Sequence, residues 1–202
     1  NLIGHDYEIL DAYLSGTFQV ADKNLNVRVG KQVLSWGEST FLGNGINAIN
    51  PVDVSKLRAP GAELKEGFLP VNMISLSQEI TDNITIEAFN QFDYKKTRIE
   101  PYGSYFSTND FLSPGASFAN LSGGQSDATG TQLKILRAAD KKVRDSNQHG
   151  IAARVLLPNQ NNSEISAYYI NYHSRTPFLS GTTGTGGLGG GATYNGEFPE
   201  DI

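Results

Sequence analysis

Two alternating runs decide the fold of this chain: Asp11-Ala12-Tyr13-Leu14-Ser15-Gly16-Thr17-Phe18-Gln19-Val20 and Leu25-Asn26-Val27-Arg28-Val29-Gly30-Lys31-Gln32-Val33. In each run, apolar and polar side chains alternate, with Lys31 as the exception on the apolar face of the second. A period of two residues indicates a β-strand whose two faces meet different surroundings. The polar segment Asp22-Lys23-Asn24 between the runs indicates a turn. The pair therefore predicts a β-hairpin, the unit of an up-and-down barrel.

The same pattern recurs further along the chain. Residues 71–79 and 84–97 flank the turn signal at 80–83, and residues 151–157 and 164–173 flank a polar turn at 158–163. In the run that starts at residue 84, the polar face carries the charged Glu87 and Asp93. Charged side chains suit a wet interior better than a packed one, so these hairpins also favour a barrel with a polar lumen.

Three longer segments separate or follow the hairpins, at about 36–70, 99–147 and 176–198. We predict them to be long loops, with a short helix possible around 52–57 and another within the second loop. Short turns at one end of the sheet and long loops at the other are typical of outer-membrane barrels. A soluble β-sandwich would spread its loop lengths more evenly, although Greek-key connections weaken that argument.

Composition excludes several classes of protein. Lys and Arg number 16 against 21 Asp and Glu, a net charge of -5 that offers no basic face for nucleic acid. Without cysteine, neither a disulfide scaffold nor a thiolate metal site is available. No apolar run is long enough for a membrane-spanning helix, but a membrane-spanning strand needs only about 9 to 11 residues. Since Asn1 opens without a signal sequence, we expect an internal piece of a larger barrel.

Several blocks of sequence resemble a family of large proteobacterial proteins known as a domain of unknown function, number thirteen-oh-two. They are Val29-Gly30-Lys31-Gln32-Val33-Leu34-Ser35-Trp36-Gly37-Glu38-Ser39, residues 50–58, residues 60–66, residues 103–111 and Asn171-Tyr172-His173-Ser174-Arg175. Members of that family are longer than this chain and resemble outer-membrane barrels. Their genes often stand beside lipid exporters of the resistance-nodulation-division class. The resemblance implies a role in moving hydrophobic molecules across the envelope, but it carries over no site residues.

Charged residues supply the candidates for a lumen or constriction. The segment 50–66 is dense in charge around two prolines and could fold inward as a plug, as in other large barrels, or stay outside as a solvated loop. Charges on the polar strand faces could tune selectivity or form ion pairs that brace the wall. The candidates from both groups are Arg28, Asp53, Lys56, Arg58, Glu63, Glu87, Asp93 and Arg154.

Aromatic residues near strand ends or on strands are candidates for a girdle at the membrane boundary, where a ring with a polar tip is favoured. These residues are Trp36, Tyr94, Tyr168 and Tyr169. Ordinary packing at the strand ends is the alternative for each ring taken alone.

No residues form a recognisable catalytic or metal-binding motif. The chain has 3 histidines, His5, His149 and His173, and none sits in a metal or nucleophile pattern. Ser174 follows His173, but neighbouring strand residues point to opposite faces. Ser107, Asn109 and Asp110 offer oxygen ligands without the spacing of a known calcium loop. We therefore predict no enzyme, no catalytic residues, no metal site and no cofactor.

These observations lead to one predicted function and two alternatives. The chain is predicted to be all-β, a fragment of an antiparallel transmembrane barrel in the outer membrane of a Gram-negative bacterium, with residues 1–202 in one barrel domain. We expect a channel or conduit for hydrophobic or amphipathic molecules. Its expected partners are outer-membrane lipid and envelope transport proteins, and not nucleic acid. The alternatives are a surface structural or adhesive barrel and a soluble, secreted β-rich binding domain.

Overall fold

The computed structural model describes residues 9–37, 45–107, 110–121, 134–185 and 191–202. Within these ranges the chain is all-β, with ten strands in two sheets. The strands are β1 Ala12–Val20, β2 Lys23–Gln32, β3 Val71–Thr81, β4 Ile84–Gln91, β5 Phe118–Asn120, β6 Lys134–Arg137, β7 Gln148–Leu157, β8 Ser163–Asn171, β9 Phe178–Thr182 and β10 Thr193–Glu197. Helix α1, Val54–Leu57, is a single turn at the place where the sequence predicts a helix. No helix in the described ranges is long and apolar enough to cross a membrane.

The first sheet has six strands in the order β1-β2-β3-β4-β7-β8, and every neighbouring pair is antiparallel. The three predicted hairpins are present as β1-β2, β3-β4 and β7-β8. Among the described residues, β1 and β8 form the two edges of this sheet and do not pair with each other. The sheet is therefore open as described.

The first hairpin turns one residue earlier than the sequence indicates. Ala21 and Asp22 both have positive φ, 52° and 60°, which is the backbone of a two-residue turn that matches the twist of the strands. Lys23 and Asn24 consequently pair with Val20 and Gln19 as part of β2. The turn of the third hairpin also uses positive φ, at Asn161 and Asn162, a residue type that tolerates this conformation.

All three tight turns lie at one end of the first sheet, and every longer connection leaves from the other end. The strand register places the turns after Val20, Thr81 and Leu157 at the same end. The chain after Gln32, after Gln91 and after Asn171 leaves from the opposite end, which we call the loop end. The predicted asymmetry between short turns and long connections is present.

The second sheet lies in two segments for which the sequence predicts long loops, and for these residues the prediction is wrong. Its order is β5-β6-β10-β9, with β10 parallel to β6 and antiparallel to β9. Strands β5 and β6 fall within 99–147, and β9 and β10 fall within 176–198. Each has only three to five residues, too few for the alternation to be recognised. The parallel pair joins Thr193 to Leu136, 57 residues earlier, so the two halves of this sheet meet only when the chain folds back.

The buried core lies between one face of the first sheet and the segment that follows β2. Its members are Trp36, Ile49, Val71, Met73, Phe89 and Ala152, with Leu34, Ile46, Tyr168 and Ile170 packed around them. The indole of Trp36 meets the ring of Phe89 edge-on at 5.0 Å between centroids. Burial of these side chains removes apolar surface from water and fixes the segment over the sheet.

Candidate functional site

One face of the first sheet is apolar and largely exposed within the part of the chain that the structure describes, and we call it the apolar face. The strand register aligns Gly16, Val27, Leu76, Ala88, Ile151 and Tyr169 in one row across all six strands. Leu14 is 83 % exposed, and Ile165 and Tyr169 are each 61 % exposed. The charged side chains that this face carries within the six strands are Lys23 and Lys31, at the two ends of β2. An apolar band therefore crosses the sheet with its charges at the margins.

The opposite face, which we call the covered face, is polar and charged. The matching row reads Thr17, Asn26, Ser77, Glu87, Ala152 and Tyr168. The six strands carry five charged side chains on this face, and Glu87 among them also belongs to the row. They are Arg28, Glu79, Glu87, Arg154 and Glu164. The alternation seen in the sequence thus places five of the seven strand charges of the first sheet on one face.

Arg154 is the centre of a charged cluster on the covered face. Its Nη2 lies 3.4 Å from Glu87 Oε2, and its Nη1 lies 3.4 Å from Glu164 Oε1. The same Nη2 donates to the carbonyl of Trp36 at 3.2 Å, and the guanidinium lies 5.7 Å from the ring centre of Tyr168. The candidates Glu87 and Arg154 are thus brought together. The cluster links three strands of the wall to the segment that covers them.

Residues 33–37 and 45–53 form the covering segment, which crosses part of the covered face. Asn50, only 3 % exposed, holds it in place, because its side chain accepts from Leu34 N–H and donates to the carbonyls of Gln32 and Leu69. Gln91 Nε2 donates to the carbonyl of Ile49 at 2.7 Å. This part of the long connection is folded against the sheet.

Arg175 fastens the covering segment at the loop end. Its guanidinium donates to the carbonyls of Ala48 and Ile49 at 3.3 and 3.0 Å and to Gln91 Oε1 at 2.6 Å. It also lies 5.3 Å from the ring centre of Tyr94, a cation–π distance. Burial lowers the pKa of Arg175 to about 10, so the side chain stays charged at neutral pH. Nothing in the local sequence around Arg175 indicates this role, because its partners are distant along the chain.

The lumen candidates in the second half of the connection between β2 and β3 form hydrogen bonds and ion pairs with nearby residues. Asp53 is buried and caps α1, accepting from the N–H groups of Ser55 and Lys56. Its Oδ2 also lies 3.3 Å from Arg98 Nη1. Lys56 is half-buried within α1.

Two further candidates continue this region. Arg58 Nη1 lies 2.8 Å from Glu100 Oε1 and donates to the carbonyl of Phe106. Exposed Glu63 forms a capping box with Glu66 around the 3-10 turn Leu64–Gly67. These charges therefore belong to an ordered element at the loop end, with ion pairs to residues 98–100.

The two remaining lumen candidates lie away from the Arg154 cluster. Arg28 is on the covered face, but β3 and β4 separate it from β7. Its guanidinium lies 5.6 Å from the ring centre of Tyr13 on β1. Asp93 lies beyond the end of β4, which stops at Gln91 and not at residue 97 as predicted. There its carboxylate accepts from the backbone and side-chain nitrogens of Asn72, each at 2.9 Å. Asp93 thus forms hydrogen bonds with β3 at the loop end, and its side chain does not belong to the polar face of β4.

The structure separates the four girdle candidates. Tyr169 is on the apolar face and exposed, close to that face's margin at His149. Its neighbour Tyr168 points to the covered face and packs against Trp36 at 6.0 Å between ring centroids. Trp36 is 2 % exposed and lies in the core, so it has no surface to offer a membrane boundary. Tyr94 lies outside the strands, where its hydroxyl donates to the carbonyl of Ser174.

Histidines and oxygen ligands form no catalytic or metal constellation in the described ranges. His173 is fully buried, with Nε2 2.8 Å from the carbonyl of Ser146 and Nδ1 accepting from Asp201 N–H. Ser174 donates to the carbonyl of Thr176 and not to His173. No group of three or more His, Asp or Glu in the described part could hold a metal ion. His5 and Asn109 lie outside the described residues.

The fold and the two unlike faces define an all-β protein built on an up-and-down antiparallel sheet, apolar and bare on one side, charged and partly covered on the other. The chain belongs to the family described as protein of unknown function (DUF1302), which matches residues 1–202. This match confirms the family resemblance seen in the sequence. Searches of curated proteins and of solved structures gave no match.

Proposed function

We propose that this chain is part of an outer-membrane β-barrel that serves as a conduit for hydrophobic or amphipathic molecules. The observation that carries the proposal is the apolar face, which runs without interruption across six strands. Contiguous exposed apolar patches on soluble monomers rarely exceed a few hundred Å². A lipid bilayer provides the surroundings in which such a face is stable.

The arrangement of the charges supports the same proposal. In a membrane barrel, lipid-facing apolar residues alternate with polar residues that face the lumen. The strand charges of the first sheet, apart from the two lysines at the ends of β2, lie on the covered face. The covered face would then be the lumen wall, and the Arg154 cluster would be one of its charged patches.

The open edges require further strands in this proposal. Unpaired N–H and C=O groups of an edge strand are costly in hydrocarbon, which is why membrane sheets close into barrels. Strands β1 and β8 would therefore pair with additional strands of a longer protein or of another copy. The covering segment, fastened by Asn50 and Arg175, would lie inside and narrow the passage.

The first experiment is fractionation of cells that carry the full-length protein, followed by gel electrophoresis with and without boiling. A closed barrel is expected to sediment with the outer membrane and to shift in mobility on boiling. Purified protein in liposomes should then pass ions or a lipid-like solute. A soluble protein without a heat shift would refute the barrel and favour a secreted binding domain. A heat-shifted protein that moves no ion or lipid-like solute would refute the conduit alone.

A further inference from the structure

A cavity of about 650 Å³ lies at the loop end of the first sheet. We call it the loop-end cavity. Its walls come from the segments after β4, before β7 and after β8, and from the turn near Leu112. Small-molecule sites typically enclose roughly 300 to 1,000 Å³, so this volume suits a ligand of moderate size. The apolar part of its lining is formed by Leu69, Ile99, Leu112, Val143, Pro177 and Phe198.

Positive charge surrounds this apolar space. Six cationic residues line the cavity, and they are Lys95, Lys96, Arg98, Arg137, Lys141 and Lys142. The lining includes a single carboxylate, that of Asp140. Two further carboxylates pair with these cations from outside the lining, Asp53 with Arg98 and Glu197 with Lys141. The lining itself holds six cations against one carboxylate, in a chain whose net charge is -5.

Lys96 and Lys142 show how the charge meets the apolar wall. The Lys96 ammonium lies 3.2 Å from Asp140 Oδ2 and 5.5 Å from the centre of the Phe198 ring. It thus stands where the polar rim joins the aromatic lining. Lys142 is exposed, lines the same cavity and has no ion pair with another described residue. A cation without a counter-ion beside an apolar pocket favours a ligand that brings its own negative charge.

We propose that the loop-end cavity binds an amphipathic anion, an acyl chain with a carboxylate or phosphate head group. The chain would pack against the apolar lining, and the head group would lie among Lys96, Lys142 and their neighbours. Burial of its CH₂ groups removes apolar surface from water, which gives the acyl chain its affinity. The positive rim selects anionic over uncharged heads. This inference builds on the proposed conduit function and names the class of molecule that the conduit handles.

Binding is tested with the full-length protein in nanodiscs of zwitterionic lipid, with empty nanodiscs as the baseline. The probe is a fluorescently labelled sixteen-carbon fatty acid. Unlabelled fatty acid and a lysophosphatidic acid compete in separate arms, which distinguishes a carboxylate head from a phosphate head. Hexadecanol serves as the uncharged competitor. The proposal expects saturable binding that one or both anions displace and that hexadecanol displaces at least tenfold less well. Equal displacement by hexadecanol overturns it.

Variants of the lining lysines test whether the ligand binds in this cavity. Lys142→Glu changes an exposed side chain without a structural partner in the described residues, and it should weaken probe binding about tenfold. The double variant Lys96→Glu/Lys142→Glu should weaken binding further. Lys134→Glu is the control for the charge change, because this exposed lysine of β6 lies outside the cavity lining, where its ammonium contacts the Phe118 ring. Loss of binding in the control equal to that in Lys142→Glu, or no loss in either, overturns the proposal.

Flux of the same fatty acid into liposomes separates this inference from the conduit function. Saturable binding with the expected variant pattern but no flux supports the cavity and refutes the conduit. Flux that persists unchanged in Lys142→Glu, without saturable binding, refutes the cavity and leaves the conduit standing. Flux that falls in parallel with binding supports both.

Discussion

At the scale of single residues, a missing side chain decides how closely the core packs on the covered face. A Cβ atom placed on Gly150 would lie 2.7 Å from Phe89 Cε1, 3.0 Å from the carbonyl oxygen of Tyr169 and 3.1 Å from Trp36 Cζ3. Separations of this size are too short for carbon atoms in ordinary contact. Glycine at this position is what lets the two aromatic rings lie directly against β7.

Replacement of Gly150 by alanine should therefore destabilise the sheet by about 1–3 kcal/mol, the usual cost of overpacking. The measurement is the temperature at which the purified protein loses its native gel mobility. Gly181→Ala is the control, since a Cβ there would lie 3.5 Å from the Thr193 carbonyl oxygen, an ordinary contact. Equal effects of the two substitutions would contradict this account of the packing.

Asp140 is a residue whose charge holds the second sheet in place. It accepts from Arg137 Nη2 at 3.0 Å, from Gly196 N–H at 3.0 Å and from Lys96 Nζ at 3.2 Å. Burial raises the pKa of Asp140, but these hydrogen bonds and the charge of Arg137 outweigh it, so the pKa lies below its ordinary value. The ionised carboxylate thus connects the end of β6 to β10.

This depressed pKa predicts a pH dependence with a definite sign. The stabilisation is complete above the unfolded pKa of about 3.9 and is lost as the pH falls through the lower folded pKa. Asp140→Asn should increase amide hydrogen exchange in Thr193–Glu197 about fivefold at pH 7, for a loss of ~1 kcal/mol. The difference between variant and wild type should shrink below about pH 4. A difference that stays constant down to pH 2 would contradict the assignment to this carboxylate.

At the scale of elements, β2 shows most directly how the two faces differ. Lys23 and Lys31 lie at its ends, and Val27 lies midway between them on the apolar face. Asn26, the preceding residue, is exposed on the covered face. In the barrel proposal, Val27 faces lipid near the middle of the membrane and Asn26 faces the lumen.

An arginine at each of these neighbouring positions gives a matched test. Val27→Arg should cost about 2–4 kcal/mol, the penalty for a charge at the bilayer midplane, and should reduce the amount of heat-shifted protein in the outer membrane. Asn26→Arg should be assembled at nearly the wild-type level. If both variants assemble equally well, the apolar face does not meet lipid.

At the scale of the whole molecule, the covering segment is part of the buried core and also borders the proposed passage. Trp36 anchors this segment through its contact with Phe89 and through its carbonyl, which accepts from Arg154 and Tyr168. If the covered face is a lumen wall, this segment reduces the open cross-section. Its attachment should then control how much passes.

Trp36→Ala should loosen the covering segment and raise the ion conductance of the protein in liposomes severalfold. The heat-shifted band reports whether the variant still folds as the proposed barrel, since loss of a buried tryptophan costs about 3–5 kcal/mol. Phe18→Ala, on the apolar face, is the control and should leave the conductance unchanged. Unchanged conductance in a folded Trp36→Ala protein would place the covering segment outside the passage.

The sequence by itself determined the three hairpins, their two unlike faces and the separation of short turns from long connections. These features depend on alternation along nine or ten consecutive residues and on turn residues between them, both of which are local. The short helix near 52–57 was also predictable, because Asp53 precedes it as a cap. Family membership likewise follows from local blocks of sequence.

Only the tertiary structure decided the second sheet, the burial of Trp36, the role of Arg175 and the loop-end cavity. Strand β10 pairs with β6 and β9, and Arg175 meets carbonyls 126 and 127 residues away. The cations of the cavity likewise come from two segments about forty residues apart, 95–98 and 137–142. A local pattern predicts the face of the strand on which a side chain lies. It does not predict which distant segment packs against that face. That choice is made by the burial and hydrogen bonding of the complete chain.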